Sequence, residues 1–361
     1  MYRSSRAQFV VVRINRWWVA GALALLLATV ALPWGGRRPA ADNGALRVAQ
    51  GVTLLGFDFS GMTEREAKAL LGELATGYRA LPVSARRYES ADGIAYTVPE
   101  LNGYELDVER SWLRLATAPP GTAVEPAVQV QPAETRLADL PLGAIRQGNS
   151  EKQAVALLIN VDWGTEELTR MLPILKRKDA RATFFLSGRW AEQNPNLTRL
   201  IAADGHEVAT HGHNLTHGPK ALARAGRLKD DIAQSVRVIE EITGRKVKYY
   251  APHKAEVDQA VLQTAADLNL QTVLYSLDTV DWNEQYATPA RILETFQKAK
   301  AGDLILMHPK PNTVQVLEQA IDLLQSRGYR LVTLSEMLSP DPLPPGATGL
   351  QPPEEGTGGS R

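Results

Sequence analysis

The sequence predicts an α/β protein built on a parallel sheet. Between residues 150 and 338, short apolar runs alternate with segments of helical apolar period, such as "EELTRMLPILKRK" and "TVQVLEQAIDLLQS". This alternation is typical of parallel sheets, either open and doubly wound or closed into a small (β/α) barrel. The seven runs that fit the strand pattern are "AVALLIN", "ARATFFLS", "HEVATH", "KYYAPH", "QTVLYS", "GDLILMH" and "YRLVTL".

Composition and charge exclude several classes of protein. The 361 residues include 40 Lys and Arg, 40 Asp and Glu, and no Cys. Because the charges balance, the chain lacks the basic field that binds a phosphate backbone, and no nucleic acid is expected as a partner. Without cysteine, disulfides and thiolate metal sites are excluded, so any metal must be bound by histidines and carboxylates.

The N-terminal segment predicts a membrane-spanning helix. Residues 17–34, "WWVAGALALLLATVALPW", carry no charge and approach the roughly 20 residues that span a bilayer. Four arginines precede this segment, which predicts a cytoplasmic N-terminus over residues 1–16 and an extracytoplasmic location for the remainder. A cleaved signal, which would make the protein secreted, is the alternative, with "PAA" near residue 40 as a weak cleavage site.

Three further regions follow from composition. A small α+β domain is expected over residues 47–120, in which Thr63 and Glu66 form a capping box at the start of a helix. A Pro-, Ala- and Gln-rich linker is expected over residues 121–149. Residues 339–361 are rich in Pro and Gly and are expected to form a disordered tail.

Four polar residues of the large domain stand at or just after the ends of predicted strands. They are Asp162, His211, Asp278 and His308. The carboxyl ends of parallel strands meet at one edge of a sheet or one face of a barrel, where loops from several strands combine into a site. The positions therefore predict a functional site at this edge.

Several segments resemble the motifs of the polysaccharide deacetylase (NodB homology) family over residues 150–338. "GHEVATHGHNLTH" resembles the strand that leads into the family's His-x-x-x-His pair, "SLDTVDW" its Asp-x-x-Asp-Trp segment, and "GDLILMH" the strand that ends in its catalytic histidine. "NVDWG", "SGRW" and "YAPHK" are most similar to divergent membrane-anchored members from spore-forming bacteria. The resemblance implies a distorted (β/α) barrel of about seven parallel strands.

The resemblance also implies hydrolysis of N-acetyl amides with a divalent metal, zinc or similar. Such an ion polarises the amide carbonyl and acidifies a bound water, a carboxylate takes the proton of that water, and a histidine protonates the departing amine. His213 and His217 have the spacing that places two imidazoles on one side of a helical turn. We take them as the metal-binding pair, with His211 in place of His213 as the alternative.

The carboxylate motif departs from the family pattern Thr-Phe-Asp-Asp-Gly, in which the base precedes the metal ligand. Counting back from Gly164 in "INVDWG" puts Asp162 at the position of the base and Trp163 at that of the ligand. Counting forward from the strand puts Asn160 and Val161 there instead. Because neither register supplies both carboxylates, we expect the metal to be weakly bound or absent.

A second departure is "YYAPHKAE", which stands where the family carries Arg-Pro-Pro-Tyr-Gly. His253 or Lys254 is then a candidate to orient the base. His308 is the expected general acid, kept in its protonated form by Asp278 or Asp281. The candidate substrate-binding residues are Trp163, Trp282 and His253.

Two functions are favoured by these residues, and a different metal-dependent hydrolase on the same barrel is a third option. The first is deacetylation of an N-acetylated glycan of the cell wall or spore cortex, such as peptidoglycan, with activity reduced by the missing carboxylate. The second is a catalytically inactive deacetylase-like protein of the cell envelope or of sporulation that binds the same glycan. A third metal ligand elsewhere in the cleft, for instance Asp278, would favour the enzyme.

The basic cluster before residues 17–34 predicts the orientation of the chain. A protease added outside intact cells that express the protein is expected to digest the large domain, because positive-inside charges place that domain outside. Immunoblotting before and after lysis measures this. A large domain that is protected until the cells are lysed would contradict the orientation.

Overall fold

The computed structural model describes residues 46–91 and 93–343, which divide between two compact units. The described part of the first unit comprises residues 46–79 and 105–129, and that of the second comprises residues 80–91, 93–104 and 130–343. Residues 80–104, which composition assigned to the small domain, therefore belong to the unit that contains the large domain.

Nine short strands lie in the described residues before residue 150. They are β1 (Thr53–Leu54), β2 (Phe57–Asp58), β3 (Arg79–Ala80), β4 (Arg86–Glu89), β5 (Ala95–Val98), β6 (Gly103–Leu106), β7 (Ala123–Val124), β8 (Val128–Gln131) and β9 (Ala144–Ile145). The segment 121–149, expected as a linker, thus contains β7, β8, β9 and a 3₁₀ turn at Leu137–Asp139. Pairing explains the difference, because β9 adds to a sheet with β4 and β5.

The first unit packs a three-stranded sheet with two helices. β1 pairs with β2 antiparallel and with β7 parallel, and the helices are α1 (Glu64–Gly77) and α2 (Val108–Thr117). The expected capping box starts α1: Thr63 Oγ1 accepts from the Glu66 amide, and the Glu66 carboxylate accepts from the Thr63 amide. Such a box stabilises the first turn by pairing amides that have no helical partner.

The second unit is built on eight parallel strands. They are β10 (Ala154–Val161), β11 (Ala182–Leu186), β12 (Glu207–Thr210), β13 (Tyr249–Tyr250), β14 (Gln271–Thr272), β15 (Leu277–Asp278), β16 (Leu304–Met307) and β17 (Arg330–Val332). The order is β14-β13-β12-β11-β10-β16-β15, and β17 pairs with the first half of β10. All seven expected strands are present, and β15 is the additional one. Within the described residues β14 and β15 do not pair, so the barrel is distorted and incompletely closed.

Helices connect or follow these strands. They are α3 (Thr165–Arg177), α4 (Gly188–Gln193), α5 (Pro195–Ala203), α6 (Pro219–Arg224), α7 (Leu228–Thr243), α8 (Gln259–Ala266), α9 (Pro289–Gln297), α10 (Pro311–Ser326) and α11 (Leu334–Leu338). All but the last contribute buried residues to the larger apolar core on one face of the sheet, and the last contributes to the smaller core on the other face. None of the helices in the described part of the chain is long and apolar enough to cross a membrane. The predicted membrane-spanning segment, residues 17–34, lies outside the described residues.

The side chains of β10 alternate between two apolar cores. Val155, Leu157 and Ile159 belong to the larger core, which includes residues of helices α3 to α10. Ala156 and Leu158 belong to a second, smaller core on the other face of the strand. This two-sided burial is why the strand reads as a continuous apolar run. The next residue on the face of Leu158 is Asn160, where β10 reaches its carboxyl end.

A buried lysine holds the C-terminal helix against the amino end of β10. Lys152 is 2 % exposed, and its Nζ donates to the carbonyls of Glu336 and Ser339 at 2.8 and 2.6 Å. Burial lowers the pKa of Lys152 to about 8. A neutral amine keeps two N–H groups, which still match the two carbonyls.

Lys152 is expected to make the free energy of unfolding depend on pH. Its folded-state pKa lies below the ordinary value of 10.5, so between about pH 8 and 10.5 the unfolded chain binds more protons and stability rises with pH. Replacing Lys152 with Met should remove this rise, and at pH 9.5 the variant should be about 1–3 kcal/mol less stable, since two buried carbonyls lose their donor.

Urea unfolding at pH 7 and pH 9.5 measures the effect. Lys246→Met is the control, because Lys246 is exposed and pairs with Glu240 at the surface. The prediction fails if the two variants show the same change in stability between these pH values.

Candidate active site

A cavity of about 530 Å³ opens at the carboxyl ends of the central strands. The side chains at its deep end continue the smaller core, and the loops after β10, β12, β13 and β16 supply its walls. Of the residues expected from the sequence to form the site, seven line this cavity: Asp162, Trp163, His211, His253, Lys254, Trp282 and His308. Asn160 and Val161, the residues of the alternative register, line it too. Strand order explains the grouping, since neighbouring parallel strands end at the same edge.

Asp162 and Trp163 follow β10 directly. Asp162 Oδ1 accepts a 2.6 Å hydrogen bond from the Ser187 hydroxyl at the end of β11. Trp163 is 41 % exposed, and its indole packs edge-on against the His308 ring with the centroids 5.2 Å apart. Lys310 Nζ lies 5.0 Å from the indole centroid, a cation–π contact that further fixes the ring. Trp163 is thus a fixed aromatic wall of the cavity.

His308 follows β16 and is held by a buried carboxylate. Its ring Nδ1 and backbone N–H both donate to Asp281, each at 2.7 Å, and the Thr313 hydroxyl donates to the same carboxylate at 2.7 Å. Asp281 is 1 % exposed. Because a carboxylate only accepts, Nδ1 of His308 carries a proton and Nε2 is left for the cavity. The partner of His308 is therefore Asp281 and not Asp278.

His211 follows β12 and is fixed in one tautomer. Its Nδ1 lies 2.7 Å from the carbonyl oxygen of Ala251. A carbonyl oxygen cannot donate, so Nδ1 is the protonated nitrogen and Nε2 carries the lone pair. Burial lowers the pKa of His211 to about 3, which keeps the imidazole neutral across the physiological range. His253 packs edge-on against this ring at 5.6 Å, and burial lowers its pKa too.

The structure separates the expected metal pair from the cavity. His213 and His217 are not among the residues that line it, and His217 is exposed. The helical turn expected over residues 213–217 does not form. The Asp231 carboxylate accepts from the amides of His213 and Asn214, and Asn214 Oδ1 accepts from that of Thr216. These side-chain bonds hold residues 213–216 in a non-helical loop.

Leu215 is a cavity residue that the sequence reasoning missed. It stands four positions after His211, and both line the cavity. The family pattern His-x-x-x-His therefore fits His211 and Leu215 without an insertion, with leucine in place of the second imidazole. Counting four residues on from His211 would have found this position, whereas nothing in the local pattern marked Tyr275, which also lines the cavity.

Trp282, in the loop after β15, lines the cavity, whereas Asp278, the last residue of β15, does not. The Asp278 carboxylate accepts from the Val280 amide at 2.7 Å and from the Trp282 indole N–H at 3.3 Å. Val280 has φ +54°, a strained conformation for a β-branched residue. Trp282 is 50 % exposed and forms part of the cavity wall. Asp278 therefore orients an aromatic side chain.

Comparison with known proteins identifies the family. The sequence profile described as "Polysaccharide deacetylase" matches residues 147–273. The chain is 35 % identical to YlxY of Bacillus subtilis (strain 168) over 269 residues, which cover 73 % of this chain and 81 % of that protein. The chain belongs to the polysaccharide deacetylase family. A peptidoglycan-N-acetylglucosamine deacetylase of Bacillus cereus is 29 % identical over 195 residues, or 53 % of this chain and 70 % of the relative.

A solved structure resembles this polysaccharide deacetylase family member over most of its length. It is that of a protein from Bacillus anthracis described as a CE4 family pseudoenzyme, with a TM-score of 0.65 and 28 % identity over 76 % of this chain and 96 % of that one. A mutant of the same protein is described as having restored enzymatic activity.

The donors in the cavity do not fit the divalent ion that the family motifs imply. Trp163 and Leu215 stand at two positions where the family motifs carry a carboxylate and an imidazole. Of the three ligand positions of the family motifs, His211 alone then keeps a metal-binding side chain. Within residues 46–91 and 93–343, no group of three or more His, Cys, Asp or Glu side chains is arranged to hold a metal ion. Two ligands or fewer bind zinc far more weakly than the usual three or four.

Asp281 is expected to be essential for the structure of the site. Asp281→Ala would leave two His308 donors and the Thr313 hydroxyl without their acceptor in the protein interior, and should cost about 3–5 kcal/mol of stability. Asp278→Ala, on a half-buried carboxylate, should cost about 1 kcal/mol or less. Urea unfolding of the two variants measures the difference, and equal losses would contradict the assignment of Asp281 as the partner of His308.

Proposed function

We propose that this protein binds N-acetylated cell-wall glycan, such as peptidoglycan, in the cavity and hydrolyses it poorly or not at all. One observation carries the proposal: Trp163 and Leu215 line the cavity at the motif positions of a carboxylate and an imidazole. An amide is a poor electrophile and water a poor nucleophile, so losing the groups that would activate both lowers the rate.

The remaining polar groups explain why binding is the favoured function. Asp162 is placed to act as a base, and His308, held by Asp281, as an acid. These groups can transfer protons, but they do not replace the metal ion that would polarise the amide carbonyl and stabilise the oxyanion. Residual deacetylation is the second candidate function, because Asp162 and the His308–Asp281 pair could still transfer protons.

Two indoles give the cavity a surface suited to a sugar. Trp163 and Trp282 are about half exposed, which is unusual for large apolar side chains. Each is held in place, Trp163 by His308 and Lys310 and Trp282 by Asp278. Fixed aromatic faces lose little conformational entropy on binding, which favours stacking against the apolar face of a pyranose ring.

The comparisons support the substrate class within this proposal. The Bacillus cereus relative is named a peptidoglycan-N-acetylglucosamine deacetylase, and a Bacillus subtilis relative at 23 % identity a peptidoglycan-N-acetylmuramic acid deacetylase. The Bacillus anthracis protein is described as a pseudoenzyme. A location outside the cytoplasmic membrane, with residues 17–34 as anchor, is part of the same proposal and rests on the sequence alone.

Restoring the two lost side chains is the experiment that tests this function. Wild-type protein is expected to bind chitotetraose and peptidoglycan fragments but to release no acetate above the buffer background. Trp163→Asp combined with Leu215→His should gain binding of one zinc ion and measurable release of acetate, because His211 then has two further ligands. Either substitution alone should gain little.

Three outcomes are informative. Asp162→Asn in the double variant should remove the gained activity, since the attacking water loses its base. Wild-type protein that releases acetate rapidly, with the activity lost in His308→Ala, would overturn the binding function in favour of the enzyme. Wild-type protein that binds neither glycan would overturn both candidates.

A further inference from the structure

His211 presents a permanent hydrogen-bond acceptor to the cavity. Its Nδ1–H is committed to the Ala251 carbonyl at 2.7 Å. His211 lines the cavity. Within the described part of the chain, Nε2 makes no hydrogen bond, and it is not one of the buried polar atoms that lack a partner. The edge contact with the His253 ring fixes the plane of the imidazole. A bound group that offers an N–H donor is the complement to this nitrogen.

The deep end of the cavity is apolar. Leu158, Phe185 and Leu306 line it, and all three are buried. Asn160, the next residue on the face of Leu158, also lines the cavity, and its buried Oδ1 has no partner within residues 46–91 and 93–343. The cavity therefore combines space for a small apolar group with polar side chains beside it. An acetamido group has this combination, a methyl next to one N–H and one carbonyl.

We propose that His211 determines specificity for the acetamido group, because its Nε2 accepts the amide N–H. The acetyl methyl enters the apolar end of the cavity formed by Leu158, Phe185 and Leu306. This inference rests on the glycan-binding function proposed above and names the chemical group that is bound. In this arrangement His211 binds the acetamido group by a direct hydrogen bond and not through a metal ion.

The same features select against a de-N-acetylated sugar. Its ammonium would have to leave water next to three apolar side chains, and burying a charge without full compensation is costly. Asp162 is the carboxylate that lines the cavity, and one of its oxygens is already bonded to Ser187. The loss of the acetyl methyl also removes apolar area that the cavity would bury. The chain is therefore expected to distinguish acetylated glycans from their deacetylated products.

Binding of two tetrasaccharides to the full chain tests this inference. Calorimetry at pH 7 with chitotetraose and with the glucosamine tetramer is expected to show tighter binding of the acetylated one. His211→Phe keeps a planar ring but removes the acceptor, and should weaken binding of chitotetraose about 5- to 10-fold, the factor for one neutral hydrogen bond. Binding of the glucosamine tetramer should be unchanged. The matched control is His217→Phe, on an exposed histidine outside the cavity, which should change neither.

The outcomes separate this inference from the function on which it rests. Wild-type protein that binds neither tetramer overturns both. A preference for chitotetraose that persists undiminished in His211→Phe overturns the role of His211 alone. If that variant does not fold, the ¹⁵N signal of Nε2 in wild-type protein decides: it should shift with chitotetraose and stay in place with the glucosamine tetramer, and equal responses would overturn the inference.

Discussion

The burial of β10 between its neighbours is the constraint on which the rest of the second unit depends. This strand pairs with β16 on one side and, along the other side, with β17 in its first half and β11 in its second half. Its side chains enter both apolar cores. Parallel pairing brings the ends of β10, β11 and β16 to one edge, so that Asp162, Ser187 and His308 meet there. The hydrogen bond between Asp162 and Ser187 is a direct result of this register.

The loops that follow β10 and β16 pack closely against each other, and this packing positions the wall of the cavity. Gly164 has φ +77°, and a Cβ at this position would collide with the carbonyl oxygen of Pro309. Glycine meets both demands, because it adopts positive φ without strain and allows close backbone contact. The loop that carries Trp163 can therefore lie against the loop that carries His308. The edge contact between the indole and the imidazole follows from this packing.

The cavity retains the proton-transfer groups of a hydrolase in a setting that suits recognition. His308 and Thr313 both donate hydrogen bonds to the buried Asp281 carboxylate. This network holds the His308 ring in one orientation. Trp163 and Leu215 replace polar groups with apolar surface, which strengthens stacking and burial of a ligand and weakens binding of an ion. Under the proposed function, the exchange of charged groups for apolar area in this cleft is the physical basis for separating binding from hydrolysis.

Much of the fold could be read from the sequence. The seven apolar runs became strands, and the glycine- and histidine-rich motifs indicated the family, because apolar periodicity and short motifs are local properties of the chain. The extra strand β15 was not predicted, since its two residues acquire their conformation by pairing with β16. The strands within residues 121–149 were missed for the same reason: β9 is defined by its partner β5, and composition does not record partners.

For the site, the sequence by itself determined which polar residues end the strands and that the motif "NVDWG" lacks one carboxylate. Only the tertiary structure decided that His211 and not His213 faces the cavity, that Leu215 stands beside it, and that Asp281 and not Asp278 holds His308. The physical reason is the turn after β12, where hydrogen bonds from Asp231, a residue of α7, fix the backbone of residues 213 and 214. The His211 ring is likewise held by a residue distant in the chain, through its contact with the Ala251 carbonyl. Spacing along the chain carries no information about either contact.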